Sequence, residues 1–208
     1  MSAMADANSV KIHPLPVRIV HWINVFAVVM MIFSGWKIYN AAPVFEFFKF
    51  PGDLTLGGWL GGALLWHFAA MWVLAANGVV YLAYGILSGH FRRKLLPLSP
   101  AAAVGDVLLA FKGKLSHADL SIYNAAQRAA YAGAIVILVA LVISGLAIWK
   151  PVQFQELAAL MGGYEGARVV HFLAMAALVL FIAVHVAMVA LVPRTFLAMF
   201  TGRVRRIS

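Results

Sequence analysis

The sequence predicts an all-α integral membrane protein, a four-helix bundle with both termini in the cytoplasm. Its 208 residues are 64% hydrophobic and only 11% charged, whereas soluble domains carry about 25% charged residues. Four apolar stretches are long enough to cross about 30 Å of hydrocarbon, which takes about 20 helical residues. They are residues 17–39, 56–87, 124–149 and 168–192. Because they fill most of the chain, we expect residues 1–208 to form a single transmembrane domain.

The basic residues predict the orientation of the bundle. If the four stretches alternate in direction, twelve of the sixteen lysines and arginines fall on one side of the membrane. The positive-inside rule places that side, with both termini, in the cytoplasm. The net charge of +9 therefore reflects membrane topology and does not indicate nucleic-acid binding. The four outward residues are Lys37, Lys49, Lys150 and Arg168.

We expect the first apolar stretch to be retained as a helix and not cleaved as a signal peptide. It begins late, carries Arg18 and His21, and has no small-residue cleavage site before the next polar segment. Residues 1–12 before it are expected to be a disordered tail. Residues 37–57 after it contain prolines and glycine that break regular structure, so they form an outward loop.

The remaining segments connect the other three stretches. Residues 89–122 return on the cytoplasmic side and include an apolar segment, 100–111, that suits the membrane interface. Residues 150–167 form an outward loop with room for a short surface helix. Tryptophans mark the expected outer ends of the spans, as an aromatic belt does. They are Trp36, Trp59 and Trp149.

The first and third stretches share a weak internal sequence similarity. Arg18 precedes a Ser-Gly pair at 34–35 by 16 residues, and Arg128 precedes a Ser-Gly pair at 144–145 by the same spacing. The two helices are either related halves of a repeat or a chance match between similar helices.

Histidines inside the apolar stretches carry the predicted chemistry. An ionisable residue within a membrane helix is costly, so it indicates function unless it merely bonds a neighbouring helix. The chain has no cysteine, which excludes iron–sulfur clusters and covalently attached c-type haem. Any haem must be held by side-chain ligation alone. The four intramembrane histidines are His21, His67, His171 and His185.

The spacing of these histidines predicts two haem b groups. His171 and His185 are 14 residues apart on one helix, which places them about 40° apart in azimuth and about 21 Å apart along the axis. Two histidines on one face of a helix, at different depths in the membrane, suit two stacked haems. Each haem then takes a second axial ligand from another helix. By depth, His21 pairs with His185 near the cytoplasm. His67 pairs with His171 near the outer face, although their depths match only within about a turn.

Two arginines and several glycines are also consistent with two bound haems. Arg18 and Arg168 each precede a predicted ligand by three residues, so they are candidates for the haem propionates. The alternative is that they snorkel to the interface. Small residues make room either for porphyrin or for close helix packing. These glycines are Gly35, Gly57, Gly58, Gly61, Gly62 and Gly145.

The motifs together resemble the bacterial dihaem cytochrome b family. That family includes the membrane cytochrome b subunits of Ni–Fe hydrogenases, formate dehydrogenases and thiosulfate-reductase-like molybdoenzymes. The similarity spans residues 10–202 and rests on four histidines in this order. The motifs are Arg18-x-x-His21-Trp22, Trp66-His67-Phe68, Asn124-x-x-Gln127-Arg128, and His171 with His185.

The resemblance implies an electron-transfer role in the bacterial inner membrane. In the family, a periplasmic redox enzyme passes electrons to the outer haem, the inner haem takes them on, and quinone is reduced near the cytoplasm. The quinone pocket uses polar residues at the start of the third helix, which here are Asn124 and Gln127, with Tyr131 one turn further on. Their alternative roles are helix capping for Asn124 and a surface position for Gln127.

The sequence is therefore compatible with three functions. The first is a subunit that is not catalytic alone and serves a hydrogenase-like or molybdoenzyme-like partner in the respiratory chain. The second, also known in the family, is a stand-alone superoxide:quinone oxidoreductase, whose outward cations would steer the anion. The third is a haem-free transporter or anchor with histidine proton relays, which the spacing of His171 and His185 disfavours.

Overall fold

The protein is described by a computed structural model that covers residues 9–112 and 123–205. In this part of the chain, four helices are long and apolar enough to cross a membrane. The predicted fold class, an all-α membrane bundle, is confirmed. In chain order the elements are β1 (Ser9–Lys11), α1 (Leu15–Ala41), a 3₁₀ turn (Gly52–Leu54), α2 (Leu60–Leu87), α3 (His90–Lys94), α4 (Pro100–Phe111), α5 (Ala125–Trp149), α6 (Gln155–Leu160), α7 (Gly163–Leu191), α8 (Pro193–Thr201) and β2 (Arg203–Arg205).

The four long helices, α1, α2, α5 and α7, present large apolar side chains on their outer surfaces. Phe26, Leu65, Val136 and Leu180 are all more than half exposed. Such surfaces suit hydrocarbon, because lipid tails are as apolar as the side chains that face them. Helices are required there since each backbone N–H and C=O must be bonded within the segment.

Shorter helices occupy the connecting segments at the expected places. α4 covers the apolar segment 100–111, and it begins with Ser99 as N-cap and Pro100 in its first turn. α6 lies in the segment that connects α5 to α7. The rest of the predicted cytoplasmic segment, residues 113–122, and the first eight residues lie outside the described part of the chain.

The expected disordered tail over residues 1–12 is wrong for its last four residues. β1 pairs antiparallel with β2, and the N–H of Ile12 donates to the carbonyl of Gly202 at 2.9 Å. Ile12 is also only 5% exposed. The two strands stabilise each other because pairing satisfies their backbone groups, and a pattern within one segment does not reveal such pairing. The register is Ser9↔Arg205, Val10↔Val204 and Lys11↔Arg203.

The described chain forms two compact units, and each of the four long helices contributes to both. The central unit comprises Val20–Val80 and Val136–Val179. The terminal unit comprises the described residues among Met1–Ile19, Tyr81–Ile135 and Leu180–Ser208. His21, His67 and His171 lie in the central unit, and His185 lies in the terminal unit.

An aromatic cluster packs against the loop that follows α1. The rings of Trp36 and Phe50 stack at 4.5 Å, and the rings of Phe45 and Phe172 lie 5.4 Å apart. The side chain of Asn40 both donates to the carbonyl of Phe50 and accepts from its N–H, at 2.8 and 2.9 Å. These contacts fix the loop against α1 and α7 within the central unit.

Candidate functional site

The structure brings His67 of α2 and His171 of α7 together inside the central unit. Their ring centres are 6.4 Å apart, and the ring planes are inclined by 64°. The predicted mismatch in depth between these two residues is therefore small enough for their side chains to face each other.

A serine hydroxyl orients the ring of His67. The Oγ of Ser34 lies 2.6 Å from the carbonyl oxygen of Met30 and 3.1 Å from Nδ1 of His67. A hydroxyl has one proton, and the short contact to the carbonyl uses it. The Oγ therefore accepts a hydrogen bond from Nδ1–H, which leaves Nε2 of His67 unprotonated and able to bind a metal.

The same arrangement orients the ring of His171. The Oγ of Ser144 donates to the carbonyl of Ala140 at 2.6 Å and lies 2.9 Å from Nδ1 of His171. Both serines are fully buried, with 0% of their surface exposed. The result is two imidazoles whose Nε2 atoms are in the form that ligates metal ions.

The glycine that follows each serine makes room for the ring. A Cβ on Gly35 would lie 3.3 Å from Cε1 of His67, and a Cβ on Gly145 would lie 3.4 Å from Cε1 of His171. At these two positions the glycines admit a histidine ring. The Ser-Gly pairs at 34–35 and 144–145 thus have equal roles in α1 and α5, which supports the repeat interpretation of their spacing.

The glycines at the start of α2 have a different role. Gly57 and Gly58 adopt positive φ angles of 106° and 69°, which favour glycine. A Cβ on Gly62 would lie 2.2 Å from the carbonyl oxygen of Gly57. These glycines allow the chain to turn tightly into α2, a role that differs from both roles expected from the sequence.

An asparagine pair fixes α1 beside His21. The Nδ2 of Asn77 in α2 donates to the carbonyl of Val20 at 2.9 Å and to Oδ1 of Asn24 at 2.7 Å. Asn77 is only 7% exposed. Sequence analysis missed this residue, although a lone amide in an apolar helix was a usable signal. It joins α2 to α1 on both sides of His21 in the chain.

His185 lies among aromatic side chains in the terminal unit. Its ring stacks on Phe181 with centres 5.7 Å apart, and it meets the edge of Tyr131 at 6.4 Å. The pairing of His21 with His185 stays a prediction.

The two candidate propionate ligands have protein partners. The Nε of Arg18 donates to the carbonyl of Met199 at 3.2 Å. Arg168 forms an ion pair of 2.7 Å with Glu165 and also donates to the carbonyl of Ala42. Their role towards haem propionates stays a prediction.

Asn124 and Gln127 form a reciprocal cap at the start of α5. The N–H of Gln127 donates to Oδ1 of Asn124 at 2.8 Å, and the N–H of Asn124 donates to Oε1 of Gln127 at 3.1 Å. This is a capping box, so the capping alternative describes part of what these residues do. Only the amide oxygens are used. Among the described residues, neither side-chain NH₂ group has a hydrogen-bond acceptor, and the quinone role stays a prediction.

A tyrosine cluster connects this cap with His185. The rings of Tyr123 and Tyr131 lie 5.2 Å apart, and Tyr131 contacts His185. Lys94 lies over the Tyr123 ring at 5.5 Å. Burial, with smaller contributions from the neighbouring tyrosines, raises the pKa of Tyr123 far above its usual range, so this phenol stays protonated and can donate a hydrogen bond.

A membrane bundle with histidines facing each other across its helices is the architecture of a membrane cytochrome b. The chain matches the family model described as prokaryotic cytochrome b561 over residues 12–202. It therefore belongs to the prokaryotic cytochrome b561 family and is a multi-pass membrane haem protein. The predicted resemblance to bacterial membrane cytochromes b is confirmed.

Two curated relatives are similar over most of the chain. One is the putative protein-methionine-sulfoxide reductase subunit YedZ1 of Azospira oryzae, 61% identical over 191 residues, which are 92% of this chain and 96% of that protein. The other is the probable Ni/Fe-hydrogenase B-type cytochrome subunit of Bradyrhizobium diazoefficiens, 24% identical over 194 residues, which are 86% of this chain and 76% of that protein.

Proposed function

We propose that this protein is a dihaem cytochrome b of the bacterial inner membrane that carries electrons between quinone and a periplasmic reductase of protein methionine sulfoxide. The observation that carries the proposal is the His67–His171 pair with its two oriented rings. The remaining parts of the proposal rest on the spacing of the other histidines and on the family.

The His67–His171 pair fits one haem b. Two imidazoles on opposite sides of one metal ion, with bonds of about 2.0 Å, hold their ring centres about 6.3 Å apart. The observed separation is 6.4 Å, and both Nδ1 atoms contact serine hydroxyls. When bound, the haem supplies one-electron chemistry at iron. His67 and His171 would supply the ligating nitrogens, and the two serine hydroxyls would orient their rings.

His21 and His185 are the proposed ligands of the second haem. The 14-residue spacing of His185 from His171 separates them by about 21 Å along a helix axis. Phe181 stacks on the His185 ring, and Tyr131 lies edge-on to it. Asn77 restrains the backbone of α1 next to His21. These contacts support defined orientations for both rings.

Asn124 and Gln127 are the proposed quinone ligands. Their amide NH₂ groups are hydrogen-bond donors suited to a quinone carbonyl. Tyr131 lies one turn beyond Gln127 on α5 and touches the ring of His185. This chain of contacts supports a quinone position close to the second haem.

The chemistry of the proposed partner sets the direction of electron flow. The relative at 61% identity is named as a subunit of a protein-methionine-sulfoxide reductase. Reduction of a sulfoxide to a thioether consumes two electrons and two protons and releases water. A quinol releases two electrons and two protons on oxidation, so it is the proposed donor, and electrons flow outward. This direction is opposite to the one that the hydrogenase-type resemblance implies.

The subunit hypothesis is favoured over the stand-alone superoxide:quinone oxidoreductase, because both relatives are named as subunits of larger enzymes. A hydrogenase partner has weaker support, since the relative that names one is only 24% identical.

The decisive experiment tests electron transfer from the purified protein to its proposed partner. The haem content per chain is measured first, by a pyridine haemochrome assay, and we expect about two haems. The haem is then reduced with a quinol analogue in nanodiscs, and a periplasmic methionine sulfoxide reductase with a methionine sulfoxide peptide is added. Reoxidation that requires both the reductase and the sulfoxide supports the proposal. Superoxide-dependent reduction without any partner would support the stand-alone enzyme instead.

His90→Ala is the matched control for variants of the four predicted ligands. His90 lies in α3, outside the long helices. This variant should keep the haem content and the electron transfer of the unmodified protein. A loss of haem from His90→Ala equal to that from His67→Ala would contradict the proposed ligand set.

A further inference from the structure

An aspartate of α4 reaches the start of α5. Oδ2 of Asp106 accepts a hydrogen bond from the N–H of Ala126 at 3.2 Å. Ala126 lies between Asn124 and Gln127 in the chain, and these are the two proposed quinone ligands. All four residues belong to the terminal unit. The hydrogen bond therefore places a carboxylate beside the first turn of α5, where the quinone is proposed to bind.

Capping of α5 uses only part of the bonding capacity of this carboxylate. The first N–H groups of a helix have no acceptor within the helix. Asp106 supplies one for Ala126, as the side chain of Asn124 does for Gln127. An ionised carboxylate offers about four lone-pair sites on its two oxygens. The hydrogen bond to Ala126 occupies one of these sites, so the carboxylate keeps the capacity to take up a proton.

The two faces of α4 differ in polarity. Val104 and Leu108 are 60% and 55% exposed. Each is two residues from Asp106, so at about 100° per residue both lie on the opposite face of the helix. Asp106 itself is half-buried and faces the start of α5. A helix with one apolar face suits the membrane interface, where quinone from the lipid and water that can receive a proton are both present.

Oxidation of a quinol requires a proton acceptor as well as an electron acceptor. Two O–H bonds break, and the two electrons reduce two equivalents of ferric haem to ferrous haem. The two protons need a base close to the quinol oxygens. Aspartate carboxylates are ordinarily ionised at neutral pH. A carboxylate within hydrogen-bond reach of a reacting group can therefore act as a general base.

The carboxylate and the proposed electron route lie beside neighbouring turns of α5. Tyr131, one turn beyond Gln127, meets the ring of His185 with centres 6.4 Å apart, and His185 is a proposed haem ligand. Asp106 contacts the preceding turn through Ala126. The groups for electron transfer and for proton transfer are thus both next to the proposed quinone ligands.

We propose that Asp106 is the proton acceptor for quinol oxidation at the start of α5. This role rests on the proposed function, because it requires that quinol binds at Asn124 and Gln127. As each O–H bond of the quinol breaks, Asp106 takes the proton and passes it to water, and the electrons go to ferric haem. The products are quinone, two protons in water and two equivalents of ferrous haem.

Stopped-flow reduction of the full-length haem-loaded protein by a quinol analogue in nanodiscs tests this role. Asp106→Asn keeps an oxygen that accepts from the N–H of Ala126 but cannot take a proton at neutral pH. We expect the maximal rate of haem reduction to fall about 100-fold, with an unchanged half-saturating quinol concentration and unchanged haem content. Reduction by hexaammineruthenium(II), which delivers one electron and no proton, should keep its rate. Equal slowing with both donors would overturn the proposal.

Two further variants complete this experiment. Asp53→Asn makes the same chemical change at an exposed position in the 3₁₀ turn of the central unit, and it should leave the quinol rate unchanged. Asp106→Glu keeps a carboxylate and should retain more of the rate than Asp106→Asn. An equal loss of rate in Asp53→Asn and Asp106→Asn would overturn the proposal.

The unmodified protein separates the failure of this role from the failure of the proposed function. If quinol reduces the unmodified protein and Asp106→Asn at the same rate, quinol oxidation stands and the role of Asp106 is overturned. If quinol does not reduce the unmodified protein at all, both proposals are overturned.

Discussion

Ser34 and His67 are joined by a hydrogen bond of 3.1 Å between Oγ and Nδ1, across the contact between α1 and α2. The serine hydroxyl donates its one hydrogen bond to the carbonyl of Met30, so the imidazole is the donor towards the serine oxygen. Ser144 and His171 repeat the arrangement at 2.9 Å between α5 and α7. When the ring nitrogen that does not bind the metal donates such a hydrogen bond, it fixes the tautomer and the orientation of the histidine and raises the basicity of the ligating nitrogen.

Replacing Ser34 with alanine should weaken the proposed haem site at His67 and His171 without removing it. The Nδ1–H of His67 then loses the Ser34 hydroxyl as an acceptor, and loss of such a partner typically costs about 10- to 100-fold in metal affinity. We expect a lower haem content after detergent washing and a shifted midpoint potential of one haem, both measured on purified protein. Ser88→Ala is the control, because Ser88 also donates to a carbonyl four residues back but contacts no predicted ligand. If the two variants behave alike, the hydrogen bond has no influence on the haem.

Replacing Gly35 with valine should displace the ring of His67. Even a single Cβ at this position would lie 3.3 Å from Cε1 of the ring, and valine adds two more methyl groups. The expected result is loss of about one haem per chain, measured by the pyridine haemochrome assay. Gly78→Val on α2 is the control, since a Cβ there meets nothing within 4 Å. Full haem content in Gly35→Val would show that the ring position is not required.

The pairing of the four histidines can be read from double variants. If His21 and His185 share one haem, His21→Ala/His185→Ala should retain about one haem per chain, because only one site is broken. His21→Ala/His67→Ala should retain none, because it breaks both. The opposite pattern, with one haem left in the second double variant and none in the first, would mean that His21 and His67 share a haem.

Replacing Gln127 with glutamate separates capping from quinone binding. The carboxylate still accepts from the N–H of Asn124, as a capping box requires, but the amide donor is gone. We expect a raised KM for the quinol analogue with unchanged haem content and unchanged thermal stability. Gln127→Ala should lower the stability as well, by about 0.5–2 kcal/mol for a lost cap. Unchanged quinol kinetics in Gln127→Glu would leave the residue with capping alone.

Acid should destabilise the terminal unit through His90. Burial, followed by the charges of Lys94 and Arg93, lowers the pKa of His90 below its ordinary value of 6.5. The unfolded chain then binds a proton more readily than the folded one, so stability falls as the pH drops below about 6.5. Above that pH both states are neutral and no penalty arises. Thermal unfolding of His90→Gln between pH 5 and 7.5 should show a smaller decline than the unmodified protein, and an equal decline would exclude this histidine as the cause.

The sequence by itself determined that this protein lies in a lipid bilayer and that its long apolar stretches are helices. Apolar stretches of this length and purity are stable only as helices in a bilayer, because every backbone polar group must be bonded within the segment. The same reasoning singled out His67 and His171, since an ionisable side chain in hydrocarbon needs a reason to be there. These arguments are local, so one segment at a time is enough to make them.

Only the tertiary structure decided which residues meet. The Ser-Gly spacing at 34–35 and 144–145 was visible in the chain, but nothing local indicated that each hydroxyl would orient a histidine on another helix. Asn77 reaching Val20, and β1 pairing with β2 at the two ends of the described chain, are likewise contacts between distant segments. The rotation and relative depth of packed helices set such contacts, and small residues and interhelical hydrogen bonds determine both. Hydropathy fixes that a helix crosses the membrane but leaves its rotation and its neighbours undetermined.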